Sequence, residues 1–123
     1  PAVLMGSIMG VWLFYIQHQF DPTFWARAPE WQREEAALEG SSFYDLPKPL
    51  MWATGNIGIH HVHHLAARVP FWRLPEVLKA YPEFGEKGRL TFWQSLKCVR
   101  LTLWDEAAKR LITFRDFSRM QPA

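Results

Sequence analysis

Asn56-Ile-Gly-Ile-His-His-Val-His-His-Leu65 places four histidines within five consecutive residues: His60, His61, His63 and His64. Imidazole is the commonest neutral nitrogen ligand for transition metals. On a helix, His60, His63 and His64 stand at i, i+3 and i+4 and share one face. His61 lies about 100° round from His60. The spelling H-x-x-H-H therefore offers one metal-facing trio and one outlier. Gly55 and Gly58 flank Asn56, so a break is predicted just before the histidines.

Outward from this stretch the pattern is all-α. Residues 1–16 read PAVLMGSIMGVWLFYI and carry no charge. A first helix is predicted to about Gln19, broken at Asp21-Pro22, because proline disfavours helix in the residue before it. About 20 apolar residues span a bilayer, so this run is slightly short. Trp12 and Tyr15 sit where an interfacial aromatic belt would. Residues 1–20 are therefore expected to be the end of a truncated transmembrane helix. The chain opens on Pro1, without an initiator Met, and is read as a fragment. A signal peptide fits less well, lacking a basic n-region and a small-residue cleavage site. A buried core helix of a soluble domain is the plainer alternative.

Residues 21–123 then read as a charged, aromatic region of short amphipathic and interfacial helices, with the histidine box inside it. Helices are predicted over 29–38, stopped by Gly40, over 47–54, through the histidines to Ala67, and over 74–81. Residues 90–104 form the longest amphipathic candidate. Phe92, Leu96, Val99 and Leu103 make an apolar stripe. Beside it Trp93, Lys97, Arg100 and Trp104 make an aromatic-basic face, suited to a lipid headgroup layer or to packing on the domain itself. Residues 41–46 read as a loop, and 111–114 as a short strand or extended tail. No substantial sheet is expected.

The chain's 123 residues suit one domain. Its net charge of +2, from 14 basic and 12 acidic residues, does not argue for nucleic acid. From Glu86 onward eight Lys and Arg face four acids. That excess fits the positive-inside rule, an anionic lipid surface or an acidic electron donor. Cys98 is the single cysteine, so no internal disulfide forms, in keeping with a reducing compartment.

The chemistry narrows by elimination of motifs. No carboxylate is interleaved with the histidines, unlike the Glu-x-x-His di-iron bundles, and the metalloprotease H-E-x-x-H is absent. Adjacent His63 and His64 are more naturally shared between two metals than crowded onto one. The fifth histidine, His18, ends the first apolar helix. Gln17, Gln19 and Asn56 are candidates for hydrogen bonds to ligand imidazoles.

Four stretches carry a resemblance: Trp12-Leu-Phe-Tyr-Ile-Gln-His-Gln-Phe20, Gly40-Ser-Ser-Phe-Tyr44, Gly55-Asn-Ile-Gly-Ile-His-His-Val-His-His-Leu65 and Val69-Pro-Phe-Trp-Arg-Leu-Pro75. Together they resemble the C-terminal part of membrane fatty acid desaturases, of the bacterial acyl-lipid type related to omega-6 and delta-12 enzymes. Leu103-Trp-Asp-Glu106 and Leu111-Ile-Thr-Phe-Arg115 are similar to that group too. The resemblance implies that His60, His63 and His64 are the third histidine box, that His18 is a further iron ligand, and that His61 is not a ligand. It implies a di-iron centre (two iron ions) at the cytoplasmic face of an integral membrane protein, in a bacterium the inner membrane. The partners implied are an acyl-lipid or acyl-thioester substrate, O2, membrane lipids, and ferredoxin or cytochrome b5 as electron donor. Two earlier histidine boxes of that family are missing here, so the isolated chain is expected to bind metal weakly and to lack activity. Acyl, carotenoid and alkane hydroxylases of the same di-iron type remain alternatives, as does a small non-enzymatic metal-binding or membrane-surface module.

Overall fold

A computed structural model describes residues 1–120; residues 121–123, the end of the expected 21–123 region, lie outside the described residues. Helix dominates, in the order α1 (Ala2–His18), α2 (Arg33–Glu39), α3 (Lys48–Ala53), α4 (His60–Leu65), α5 (Leu74–Ala80), α6 (Phe92–Cys98) and α7 (Phe114–Met120). Four short strands join them: β1 (Phe43–Asp45), β2 (Arg89–Thr91), β3 (Leu103–Asp105) and β4 (Arg110–Ile112). The expected helical character holds, with two small two-stranded sheets added to it. β1 and β2 pair in parallel, Tyr44 opposite Leu90. β3 and β4 pair antiparallel, Trp104 opposite Leu111.

β1 occupies the stretch read as a loop, and its period explains the core. Successive strand side chains point to opposite faces. Tyr44 enters a cluster with Ile16, Phe20, Leu46, Leu90 and Cys98, while Phe43 enters another with Ile59, Val62 and Leu74. Met51 packs against both. The backbone of this short strand is used on both sides: Phe43 N–H donates to Gly88 O at 2.9 Å and Tyr44 N–H to Gly58 O at 2.7 Å. β1 thereby ties the entry to the histidine helix against the end of α1. α2 lies along α4 from another direction.

The expected long helix over 90–104 is replaced by strand, helix and strand. Thr91 and Gln94 form a capping box, which satisfies two orphan N-terminal donors and starts α6 at Phe92. Thr102, Leu103 and Trp104, which suit a pleated surface, pair into the β3–β4 hairpin instead. Asp105 closes that hairpin by accepting from the N–H groups of Ala107 and Ala108 at 2.9 Å each. The strand anticipated near 111–114 is β4. Three other helices start late or end early: α2 at Arg33, after a turn that closes on Arg27, α4 at Leu65 and α5 at Ala80.

α1 is 17 residues long, and no helix among the described residues is long and apolar enough to cross a membrane. Of its residues only Ile16 and Gln17 are buried. Its N-terminal turns are apolar yet open, with Val3 84% exposed.

Candidate metal centre

His18 is the last residue of α1 and His60 the first of α4, so the centre forms where two helix ends meet. A sharp turn feeds α4. Gly55 and Asn56 both take left-handed φ, 64° and 54°, a conformation that glycine and asparagine tolerate best. Gly58 must lack a side chain, because a Cβ there would stand against the carbonyl oxygen of Tyr44 and 2.8 Å from the sulfur of Met51.

The imidazoles of His18, His60 and His64 converge. His18 Nε2 lies 3.2 Å from His64 Nε2, which lies 3.0 Å from His60 Nε2. The Nδ1–H of His18 donates to the Phe14 carbonyl at 2.9 Å, which leaves its Nε2 as the bare lone pair. A single N–H on His64 cannot serve two nitrogen neighbours at once, and the buried Nδ1 of His60 has no hydrogen-bond partner. The trio does not satisfy itself by hydrogen bonding. A cation held on the three Nε2 atoms would relieve the competition for that one N–H. Imidazole nitrogen binds zinc at about 2.0–2.1 Å, and right-angled neighbours on such an ion stand about 3.0 Å apart. The ligand atoms of the three lie within 4.8 Å of one another. The three could hold a metal ion, with a small inward shift of the most distant pair.

Burial and neighbouring imidazoles favour the neutral form of His60 and His64. Burial, reinforced by the neighbouring imidazoles of His64, His18, His63 and His61, lowers the pKa of His60 from 6.5 to about 3. Burial first, then His18 and His63, lowers that of His64. Neutral imidazole is the ligating form.

His63 stacks beside His60, ring centroids 5.7 Å apart, outside the converging trio. His61 points the other way. It is fully buried, packs on Phe43 at 5.8 Å, and donates from Nε2 to the Phe84 carbonyl at 2.9 Å. The 100° offset read from the sequence is therefore visible as two faces of α4, one turned toward the converging imidazoles and one toward the core.

Gln17, Gln19 and Asn56 were expected beside imidazoles, and their amides go to backbone carbonyls instead. Gln17 donates to Ile57 at 2.9 Å, Gln19 to Leu101 at 2.6 Å, and Asn56 to Phe71 at 3.4 Å. The two glutamines bracket His18 and hold the end of α1 from two directions. The sequence reading missed the strand residues that complete this frame. Ser42 N–H donates to Gln17 O at 2.9 Å, and the Tyr44 hydroxyl meets Ser95 Oγ at 3.1 Å. Aromatic Phe43-Tyr44 between Gly40 and Pro47 was the available strand signal.

The sequence is similar to those of known proteins. The sequence model of the family described as Fatty acid desaturase matches residues 1–96, the segment that holds all five histidines. A curated Fatty acid desaturase of Bacillus subtilis (strain 168) is 43% identical over 115 residues, 94% of this chain and 33% of that protein. The chain thus spans about a third of the length of that relative. No solved structure matches it. With a family match running through both histidine-bearing segments and a close relative along nearly its whole length, this chain belongs to the fatty acid desaturase family.

Proposed function

We propose that the chain is the C-terminal part of a bacterial acyl-lipid desaturase, of the omega-6 or delta-12 kind, and supplies one share of its metal ligands. The observation that carries this reading is the convergence of His18, His60 and His64 Nε2 atoms from two helix ends. His60, His64 and His18 would hold iron, and His63, on the same face of α4, would reach a second ion. When bound, a histidine-ligated iron pair supplies the oxidising power that an unactivated C–H bond demands. The overall reaction removes one hydrogen from each of two adjacent methylenes to leave a double bond, and those two hydrogens, together with two electrons and two protons, reduce O2 to two waters.

What these residues do follows from their setting. Phe14 fixes the His18 tautomer so that Nε2 faces the centre. Neutral imidazoles add no negative charge, which leaves a bound ion highly charged. The Gln17 and Gln19 clamps keep His18 from drifting as the site loads. His64 is exposed, which gives the trio an open side where ligands from elsewhere in a longer protein would enter. α1 would belong to a membrane segment at the cytoplasmic face of the inner membrane, with ferredoxin or cytochrome b5 delivering electrons.

The test uses the longer protein that carries this chain. Given an acyl lipid in membranes, it should produce a double bond, and replacing His18, His60 or His64 with Ala should abolish both product and iron. A hydroxylated product would assign it to an oxygenase of the same type. Full iron content in all three variants would overturn the ligand assignment.

A further inference from the structure

The amphipathicity of α6 is inverted. It buries only Ser95 and Cys98, while Phe92, Trp93, Leu96 and the adjoining Val99 face outward, Trp93 being 74% exposed. Burying small groups and exposing large apolar ones runs against the hydrophobic effect in water. The exposed arc also carries Lys97 and Arg100, neither of which joins an ion pair among the described residues. No acidic residue occurs between Glu86 and Asp105. The arc does not stop at α6. Val99 lines a groove with Ile8, Val11, Trp12 and Tyr15 of α1, so the two helices present one continuous apolar surface.

We infer that α6 lies on the membrane surface, with Phe92, Trp93, Leu96 and Val99 sunk below anionic lipid headgroups and Lys97 and Arg100 at headgroup level. A lipid surface fits this composition better than another protein face does. Protein interface cores are depleted in lysine, whereas tryptophan beside basic residues marks the headgroup boundary. Continuity with α1 sets the depth: α6 meets α1 near Tyr15, close to its C-terminal end, where an interface would cross a helix entering the bilayer. This inference rests on the membrane reading of α1 and adds a second, parallel element to it.

The longer protein in lipid nanodiscs tests it through tryptophan quenching by brominated lipids. Subtracting the fluorescence of Trp93→Phe from that of the parent isolates Trp93. That component should be quenched several-fold more by bromines high on the acyl chain than by bromines at the bilayer centre. Adding phosphatidylglycerol should strengthen the quenching, and Lys97→Gln with Arg100→Gln should remove that dependence. Leu4→Trp serves as the reference on α1. If the residue 4 reporter is quenched and Trp93 is not, α6 does not meet lipid and the inference falls alone. If neither is quenched, the membrane reading of α1 falls with it.

Discussion

Gln17 donates its side-chain amide to the carbonyl of Ile57, 2.9 Å away and 40 residues along the chain. The contact joins the turn before the histidine helix to the residue preceding His18. Gln17 is 2% exposed and the Ile57 carbonyl is half-buried, so removing the amide leaves that carbonyl short of a partner, at about 1–3 kcal/mol. Gln17→Ala should therefore lower unfolding free energy by that order. It should also lower iron occupancy of the longer protein, because His18 loses one of its two flanking clamps. Metal analysis beside denaturant unfolding checks both, and unchanged iron at reduced stability would show that Gln19 suffices.

His61 separates structure from ligation within one motif. Its ring fills a core site and bonds the Phe84 carbonyl. His61→Ala should cost about 2–4 kcal/mol, from a cavity and an orphaned carbonyl, while a folded preparation keeps its iron. His64→Ala should do the reverse, since His64 is exposed: little change in stability, and loss of metal. If the two variants lose iron equally at matched stability, His61 also ligates.

Much of this division was legible beforehand. The i, i+3, i+4 spacing separated His61 from its neighbours, and the glycines flagged the turn before α4. What stayed hidden depends on partners distant in sequence. Gln17 and Gln19 read as imidazole partners because they flank a histidine. Their true acceptors, Ile57 and Leu101, lie 40 and 82 residues away. Likewise the 90–104 stripe fitted helical spacing, yet residues 103–105 found strand partners at 110–112, which outweighed local periodicity. His63 shares the expected face without joining the converging trio, a distinction of ring position that spacing alone does not resolve.

Acid should loosen this region. The folded-state pKa of His60 is lowered to about 3 from an ordinary 6.5, and those of His61 and His64 are lowered too. The unfolded chain therefore takes up protons first as pH falls. The stabilisation is whole above about pH 6.5 and declines steadily toward about pH 3. Protons also compete with metal for the same nitrogens, so iron should leave the longer protein across the upper part of that window. Unfolding followed against pH, with and without metal, checks the sign. Stability rising between pH 6.5 and 4 would contradict it.

Gly58 should tolerate no side chain. Gly58→Ala would press a methyl group into the Tyr44 carbonyl and Met51, where overpacking costs about 1–3 kcal/mol. It would also strain the Tyr44 N–H to Gly58 O bond that joins β1 to the turn. Gly10→Ala on α1 is the control. Nothing lies within 4 Å of a Cβ there, and alanine favours helix by up to about 1 kcal/mol. Opposite signs for the two substitutions in a thermal unfolding series are expected.

The isolated chain should bind metal weakly. Three converging nitrogens, one of them on an exposed ring, leave the remaining positions of an iron ion to water, and the chain spans about a third of its Bacillus relative. Ligands supplied from elsewhere convert a weak site into a tight one, because the ordering cost is already met by the framework around them. Titration of the 123-residue chain with ferrous iron or cobalt should therefore show easily chelated metal and no O2-dependent change in an acyl lipid. The longer protein should retain its iron through the same chelator. Stoichiometric, chelator-resistant, O2-reactive iron in the chain alone would mean that these five histidines form a complete centre, and the shared-ligand reading would fail.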